Sequence, residues 1–148
     1  MAVSTLILKN FALLQPLHDE LLAQLGQQSK LIEVPRRKVV MEKNQTAHSL
    51  GLLVDGRLQG IDMTLDGREA GLYFIEPNDF FGELSVIDQQ PTTEFVIALT
   101  TSRFLMIPST TVRQLIEKSP QIATIINQRL AQRLRESMQQ RTLLTMPS

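Results

Sequence analysis

The stretch NDFFGELSVIDQQPTTEFVIALT, residues 78–100, decides how this chain is read. Its first half is a glycine-bearing turn that opens into a short helical segment. The first N–H groups of a helix lack partners within it and carry partial positive charge, so such an opening suits an anion. A basic side chain normally completes a site of that kind. The second half supplies none, because Thr92 and Thr93 are followed by Glu94.

Outward from this stretch, short apolar runs alternate with turn residues. KLIEV (30–34) and KVVM (38–41) flank a PRR turn. SLGLLV (49–54) and RLQGIDM (57–63) flank Asp55-Gly56, and a further pair of runs flanks Asp66-Gly67. Asp-Gly between two apolar runs is a strong short-range hairpin signal. After Gly67, the residues Ala70, Leu72 and Phe74 alternate to one face. EFVIALTTSRFLMI adds two strands around Thr100, Thr101 and Ser102. Short strands with regular turn chemistry predict a mainly β fold, a jelly roll over residues 30–108, with helices at both ends.

The amino-terminal helices are expected within residues 1–29. LILKNFALL reads as a short helix with a break at Asn10. QPLHDELLAQLGQQ sets Leu17, Leu21, Leu22 and Leu25 on one face, with Pro16 in the first turn and Gly26 at the stop. Residues 109–148 are helical again. Ser109 is placed to cap a short helix that buries Val112, Leu115 and Ile116. Ser119 and Pro120 open a longer helix to about Leu143, with Ile122, Ile125, Ile126, Leu130, Leu134 and Met138 along it. A spacing of four drifts by about 40° per step on a helix of 3.6 residues per turn. A winding stripe suits a helix that begins on its own barrel and ends on a partner. Ile126, Leu130, Leu134 and Met138 are therefore the expected contacts of a homodimer, the alternative being one buried face on a single domain. The arginines on this helix, Arg129, Arg133, Arg135 and Arg141, alternate with glutamines and are expected to form a solvated face.

Composition narrows the chemistry. The 148 residues carry 15 Lys plus Arg against 15 Asp plus Glu, so no overall field favours nucleic acid or an anionic membrane. There is no cysteine, which removes disulfides and thiolate chemistry. The two histidines, His18 and His48, have no metal-ligand spacing, so a jelly-roll enzyme that holds a metal on paired histidines is not expected. No nucleophile–base arrangement stands out, and the chain is read as a binding protein rather than an enzyme. The apolar runs are short of the roughly 20 residues that span a bilayer, which points to a cytoplasmic location.

A helical start, a glycine-punctuated roll, FGELSV and a long terminal helix together resemble the effector domain of the Crp/Fnr family of bacterial transcription regulators, a cyclic-nucleotide-binding fold. GLLVDGRLQ resembles that family's hairpin around a fixed glycine, here Gly56. PNDFFGEL resembles the opening of its phosphate-binding cassette, at residues 78–96, and RQLIEKSPQIATIINQRLAQRLRESM its short helix and long dimerisation helix. Asn44 and Asn78 stand where the family usually has glycine, and asparagine tolerates the left-handed backbone.

The resemblance implies a ligand site at Phe81, Gly82, Glu83, Leu84, Ser85, Thr92, Thr93 and Glu94, with Ser137 presented from the long helix. In members that bind cyclic AMP the cassette glutamate accepts the ribose hydroxyl and an arginine pairs with the phosphate. Counting from Gly82, that arginine falls at Thr92 or Thr93. A hydrogen bond to a charged group contributes roughly 1.5–3 kcal/mol. A carboxylate about 4 Å from a phosphate costs up to ~4 kcal/mol at an effective dielectric near 20. A cyclic nucleotide held in the family manner is thus disfavoured unless Arg68 or Arg103 replaces the missing group. Glu83 reads either as a sugar-binding carboxylate or as a cap for its own turn, and Ser85 as a phosphate donor or as part of the short helix. The family's DNA-reading helix-turn-helix has no counterpart in these residues, so the chain is expected to be a piece of a regulator cut at the hinge. A stand-alone sensor, a sensor of another ligand such as a cyclic dinucleotide, and a structural dimerisation module with a vestigial pocket are the alternatives.

Overall fold

The computed structural model describes residues 3–145, with side chains through residue 139. Eight strands form two four-stranded antiparallel sheets. They are β1 (Lys30–Val34), β2 (Val39–Met41), β3 (Ser49–Asp55), β4 (Leu58–Met63), β5 (Glu69–Ile75), β6 (Phe80–Phe81), β7 (Phe95–Ala98) and β8 (Ser102–Pro108). One sheet has the order β1-β8-β3-β6 and the other β2-β7-β4-β5, which makes the predicted jelly roll. Helices α1 (Thr5–Leu8) and α2 (Asp19–Gln28) precede the roll. Helix α3 (Glu83–Asp88) interrupts it, and α4 (Ser109–Lys118) and α5 (Pro120–Thr145) follow.

The predicted strands are present, but most of their turns do not make hairpins. Asp66-Gly67 does: β4 and β5 pair from Leu58↔Ile75 to Met63↔Glu69, and the loop is closed by Thr64 N–H donating to Arg68 O at 2.8 Å. Asp55-Gly56 does not. It passes the chain from β3 in one sheet to β4 in the other, as PRR does between β1 and β2 and Thr100-Thr101 between β7 and β8. A turn residue fixes only a local φ; the pairing partner is chosen by burial. The core strand β3 pairs with the distant β8, Leu52↔Leu105. Gly56 is required at its corner for two reasons: φ is +95°, and a Cβ there would sit 2.7 Å from the Cα of Ser102.

Two apolar clusters fill the molecule. Inside the roll lie Leu53, Leu58, Ile75, Phe81, Val96, Ala98 and Phe104. The second cluster joins the roll to the helices through Leu8, Phe11, Leu22, Leu25, Leu50, Leu105, Val112, Ile122 and Ile126. Among the expectations, Ser119 Oγ does cap α5, accepting Ile122 N–H at 3.2 Å. Ser109 makes no side-chain cap and begins α4 itself, behind Pro108. Helix α2 starts at Asp19, later than Pro16, and runs through Gly26, which stays small because a Cβ would meet the Val3 carbonyl at 2.3 Å. On β5 the buried residue is Ile75, whereas Phe74 is exposed beneath the Arg57 guanidinium, 3.9 Å from its ring centre. Asn44 and Asn78 adopt left-handed φ of 64° and 78°, as the family resemblance implies for residues that stand in place of glycine.

Candidate functional site

The cassette begins where β6 is pinned to β3 by Gly51↔Phe81 and Leu52↔Phe80. Phe81 is buried, edge-on to Phe104 with ring centres 5.6 Å apart, and it covers Gly51, which has no room for a side chain. The chain then turns at Gly82 with φ +83°, a left-handed conformation that favours glycine, and enters α3 at Glu83. Ser85 Oγ donates to the Gln90 carbonyl at 2.7 Å and holds the end of that helix.

The far end of the cassette is tied to the β2–β3 loop. Thr92 is buried; its Oγ donates to the Glu42 carbonyl at 2.5 Å and accepts Gln45 N–H at 3.3 Å. Phe81, Gly82, Ser85 and Thr92 thus shape the frame. A cleft of about 290 Å³ lies between the cassette, β5 and α5, lined by Leu72, Tyr73, Glu83, Leu84, Thr93, Glu94, Leu130, Arg133, Leu134, Glu136 and Ser137. Of the nine residues expected at the ligand site, five line it together: Glu83, Leu84, Thr93, Glu94 and Ser137. Leu130 and Leu134, expected at the dimer interface, line it as well.

Charge is arranged in this cleft in an unexpected way. Arg133 reaches in from α5. Its Nη1 donates to Glu83 Oε1, and its Nη2 donates to the Phe80 carbonyl at 2.9 Å. Its guanidinium carbon lies 4.5 Å from the centre of the Tyr73 ring. Both charged side chains are nearly enclosed, Arg133 12% and Glu83 5% exposed. Glu83 Oε2 and Arg133 Nε are buried without a hydrogen-bond partner. Glu83 therefore holds α5 and does not cap its own turn. One turn earlier on α5, Arg129 Nη2 donates to Asp79 Oδ2 at 2.9 Å.

Opposite Glu83, the Tyr73 hydroxyl donates to Glu94 Oε1 at 2.7 Å, and Thr93 Oγ donates to Glu94 Oε2. Burial, reinforced by the Glu94 charge, pushes the Tyr73 phenol well above its ordinary range, so it remains a donor. Glu94 thus points toward the cleft. Neither Arg68 nor Arg103 enters: Arg68 pairs with Asp66, and Arg103 pairs with Asp55 at 2.5 Å. The lining carries the carboxylates of Glu83, Glu94 and Glu136 against the guanidinium of Arg133.

Sequence reasoning assigned Arg129 and Arg133 to a solvated face, and the structure corrects this. Both lie inward because they continue the buried stripe Ile122, Ile126 at steps of three and four. Their phase relative to Ile122 and Ile126 is the sequence signal that marks them as inward. Arg135 is exposed, and the Arg141 side chain falls outside the described residues. Tyr73 carried no sequence signal. Of the expected dimer contacts, Ile126 belongs to this domain's own core and Leu130 packs against that core and the cleft. Leu134 and Met138 are 60% and 56% exposed.

The model of the cyclic nucleotide-binding domain family matches residues 31–119. The chain belongs to that family. It is 28% identical over 131 residues to the CRP-like cAMP-activated global transcriptional regulator of Mycobacterium tuberculosis, which covers 88% of this chain and 58% of that protein. The chain thus spans little more than half of that relative's length. Its fold matches the sensor domain of the transcriptional regulator DNR from Pseudomonas aeruginosa with a TM-score of 0.76 at 19% identity, over 91% of each chain. It also matches the regulatory subunit of a cAMP-independent protein kinase A from Trypanosoma brucei, with a TM-score of 0.75 at 16% identity over 95% of this chain and 50% of that one. That structure is a mutant with glutamate-to-alanine, threonine-to-arginine and valine-to-alanine replacements, bound to cAMP in its A site.

Proposed function

We propose that this chain is the effector-sensing and dimerisation domain of a CRP-like transcription regulator, and that its cleft does not recognise a cyclic phosphate. The observation that carries this reading is Glu94. It lines the cleft, fixed by Tyr73 and Thr93, in the part of the cassette where the family resemblance calls for an arginine. A phosphate brought within about 4 Å of that carboxylate would meet up to ~4 kcal/mol of repulsion, and the guanidinium in the cleft, Arg133, is already paired with Glu83. A trypanosomal subunit of the same fold, named as cAMP-independent, holds cAMP in a mutant whose replacements include a threonine by an arginine.

The mechanism follows from α5. Its first half is built into the domain by Ile122 and Ile126 and clamped by Arg129 and Arg133, while Leu134 and Met138 beyond the clamp are exposed. A second copy covering that apolar end makes the dimer. An effector entering between cassette and helix then shifts the population between two packings of the paired helices. DNA-binding domains attached after α5 would follow this movement. The same Glu83–Arg133 contact favours a second reading, in which the cleft is vestigial and the domain only dimerises.

Thermal-shift titration tests the reading. cAMP leaves the melting point of the wild-type chain unchanged. A Thr93→Arg, Glu94→Ala variant gains saturable stabilisation, about 2.7 kcal/mol at a hundredfold excess over Kd. Thr93 is the position to change because Thr92 is committed to the frame. Saturable cAMP binding by the wild type sinks the reading. Sedimentation tests the dimer: Leu134→Glu is expected to halve the mass, and an unchanged mass removes α5 as the interface.

A further inference from the structure

The surroundings of the Arg133 guanidinium are those of a cation-binding site. A buried carboxylate (Glu83), a backbone carbonyl (Phe80) and an aromatic face (Tyr73) converge on it, and the Tyr73 hydroxyl leads on to a second carboxylate, Glu94. Each element favours a cation. The carboxylate and carbonyl accept its N–H groups, and the ring face attracts positive charge, more strongly when water is excluded. The box is not fully satisfied by its present occupant. Glu83 is 4% exposed overall, and its Oε2 still lacks a donor. The occupant is carried on α5, at a contact by which that helix is clamped to the roll. Beside the box the cleft is apolar, walled by Leu72, Leu84, Leu130 and Leu134.

We propose that this box, formed by Glu83, the Phe80 carbonyl and Tyr73, is the recognition element for the effector, and that the effector is an organic cation with an apolar body. A guanidinium or ammonium head would compete with Arg133 for Glu83, while the body lies against Leu84, Leu130 and Leu134. The inference rests on the reading of the cleft as an effector site without a phosphate clamp, and it names the ligand class for that site. Arg133 acts as a tethered occupant. A tethered group competes at a high effective concentration, so an external cation binds the wild type more weakly than a variant that lacks Arg133. Displacement frees the α5 clamp next to the exposed Leu134, which couples occupancy to the dimer helix.

The test is chemical rescue with phenethylguanidine, compared with 3-phenylpropionate and cAMP at matched ionic strength. Binding is followed by melting temperature and by NMR shifts of the leucine methyls. In Arg133→Ala, phenethylguanidine is expected to bind saturably, at least tenfold tighter than to the wild type, with shifts at Leu84 and Leu134. The preference over the carboxylate is expected to vanish in Arg133→Ala, Glu83→Gln. If Arg133→Ala does not fold, the wild type answers alone: weak saturable binding of the guanidine with displaced Leu134 signals is the supporting result. No saturable shift at about 10 mM, or equal binding of the phenylpropionate, overturns the proposal. Saturable cAMP binding by the wild type overturns the underlying reading of the cleft. Failure of the guanidine together with silence from cAMP removes only the ligand class.

Discussion

The two ends of the cassette are both anchored in the frame and differ in charge. At the Glu83 end, the left-handed Gly82 leads into α3, and the carboxylate is buried against a guanidinium supplied by a helix fifty residues away. At the Thr92–Glu94 end, the loop is anchored just as firmly through Thr92, but the side chain that enters the cleft is an anion held by neutral hydroxyls. One end therefore joins two parts of the fold, and the other sets the sign of what the cleft accepts. The comparison teaches that a binding frame and a binding preference are separable. Hydrogen bonds to backbone preserve the frame while the charges inside it change.

The largest effect is expected from Arg133→Met. If the Glu83 end is a structural joint, removing its cation leaves a buried carboxylate unpaired and costs about 3–5 kcal/mol. Urea unfolding would read this as a lower midpoint at similar slope. A loss below about 1 kcal/mol would mean that the pair behaves as a surface contact. Thr92→Val sharpens the other side. It keeps the shape and takes the hydroxyl partner from the Glu42 carbonyl and the Gln45 N–H of the β2–β3 loop, for an expected loss of about 1–3 kcal/mol. Equal stability of Thr92→Val and wild type would deny Thr92 its framing role.

The smallest effect expected is a pH dependence outside the cleft. The Arg103 guanidinium beside Asp55 holds that carboxyl below its usual range, and the Lys43 ammonium does the same for Asp62. A carboxyl with a depressed folded-state pKa adds stability above its unfolded value, near 3.9, and the gain disappears as pH falls through the folded-state value. Asp55→Asn should flatten the acid limb of the stability curve slightly, with no change at neutral pH slope. A steeper acid limb in the variant would refute the assignment.

Much of the fold could be read from local residue chemistry. The strands, the Asp66-Gly67 hairpin and the Ser119 cap follow from period and turn chemistry, and the left-handed asparagines from the family resemblance. The corner at Asp55-Gly56 could not be told from a hairpin, because its pairing partner, β8, lies at the other end of the roll. In the site, the missing cassette cation was legible from Thr92, Thr93 and Glu94. Its counterpart was not: Arg133 stands among glutamines, and only its phase relative to Ile122 and Ile126 marks it as inward. Tyr73 is invisible for a similar reason, since an edge-strand tyrosine shows nothing of the helix that will lie across it.

The corner crossings also govern how the domain comes into being. With β3 paired to β8, Leu52 waits for Leu105, more than fifty residues later in the chain. A ribosome adding about 5–20 residues per second leaves that strand unmatched for several seconds, its backbone edge open to other nascent chains. Topologies dominated by such distant pairings refold in milliseconds to seconds, slower than helical domains of similar size. Among the described strands, β4–β5 is the one pair joined by a tight turn, so its contacts close over the shortest loop, and it carries Tyr73 with it.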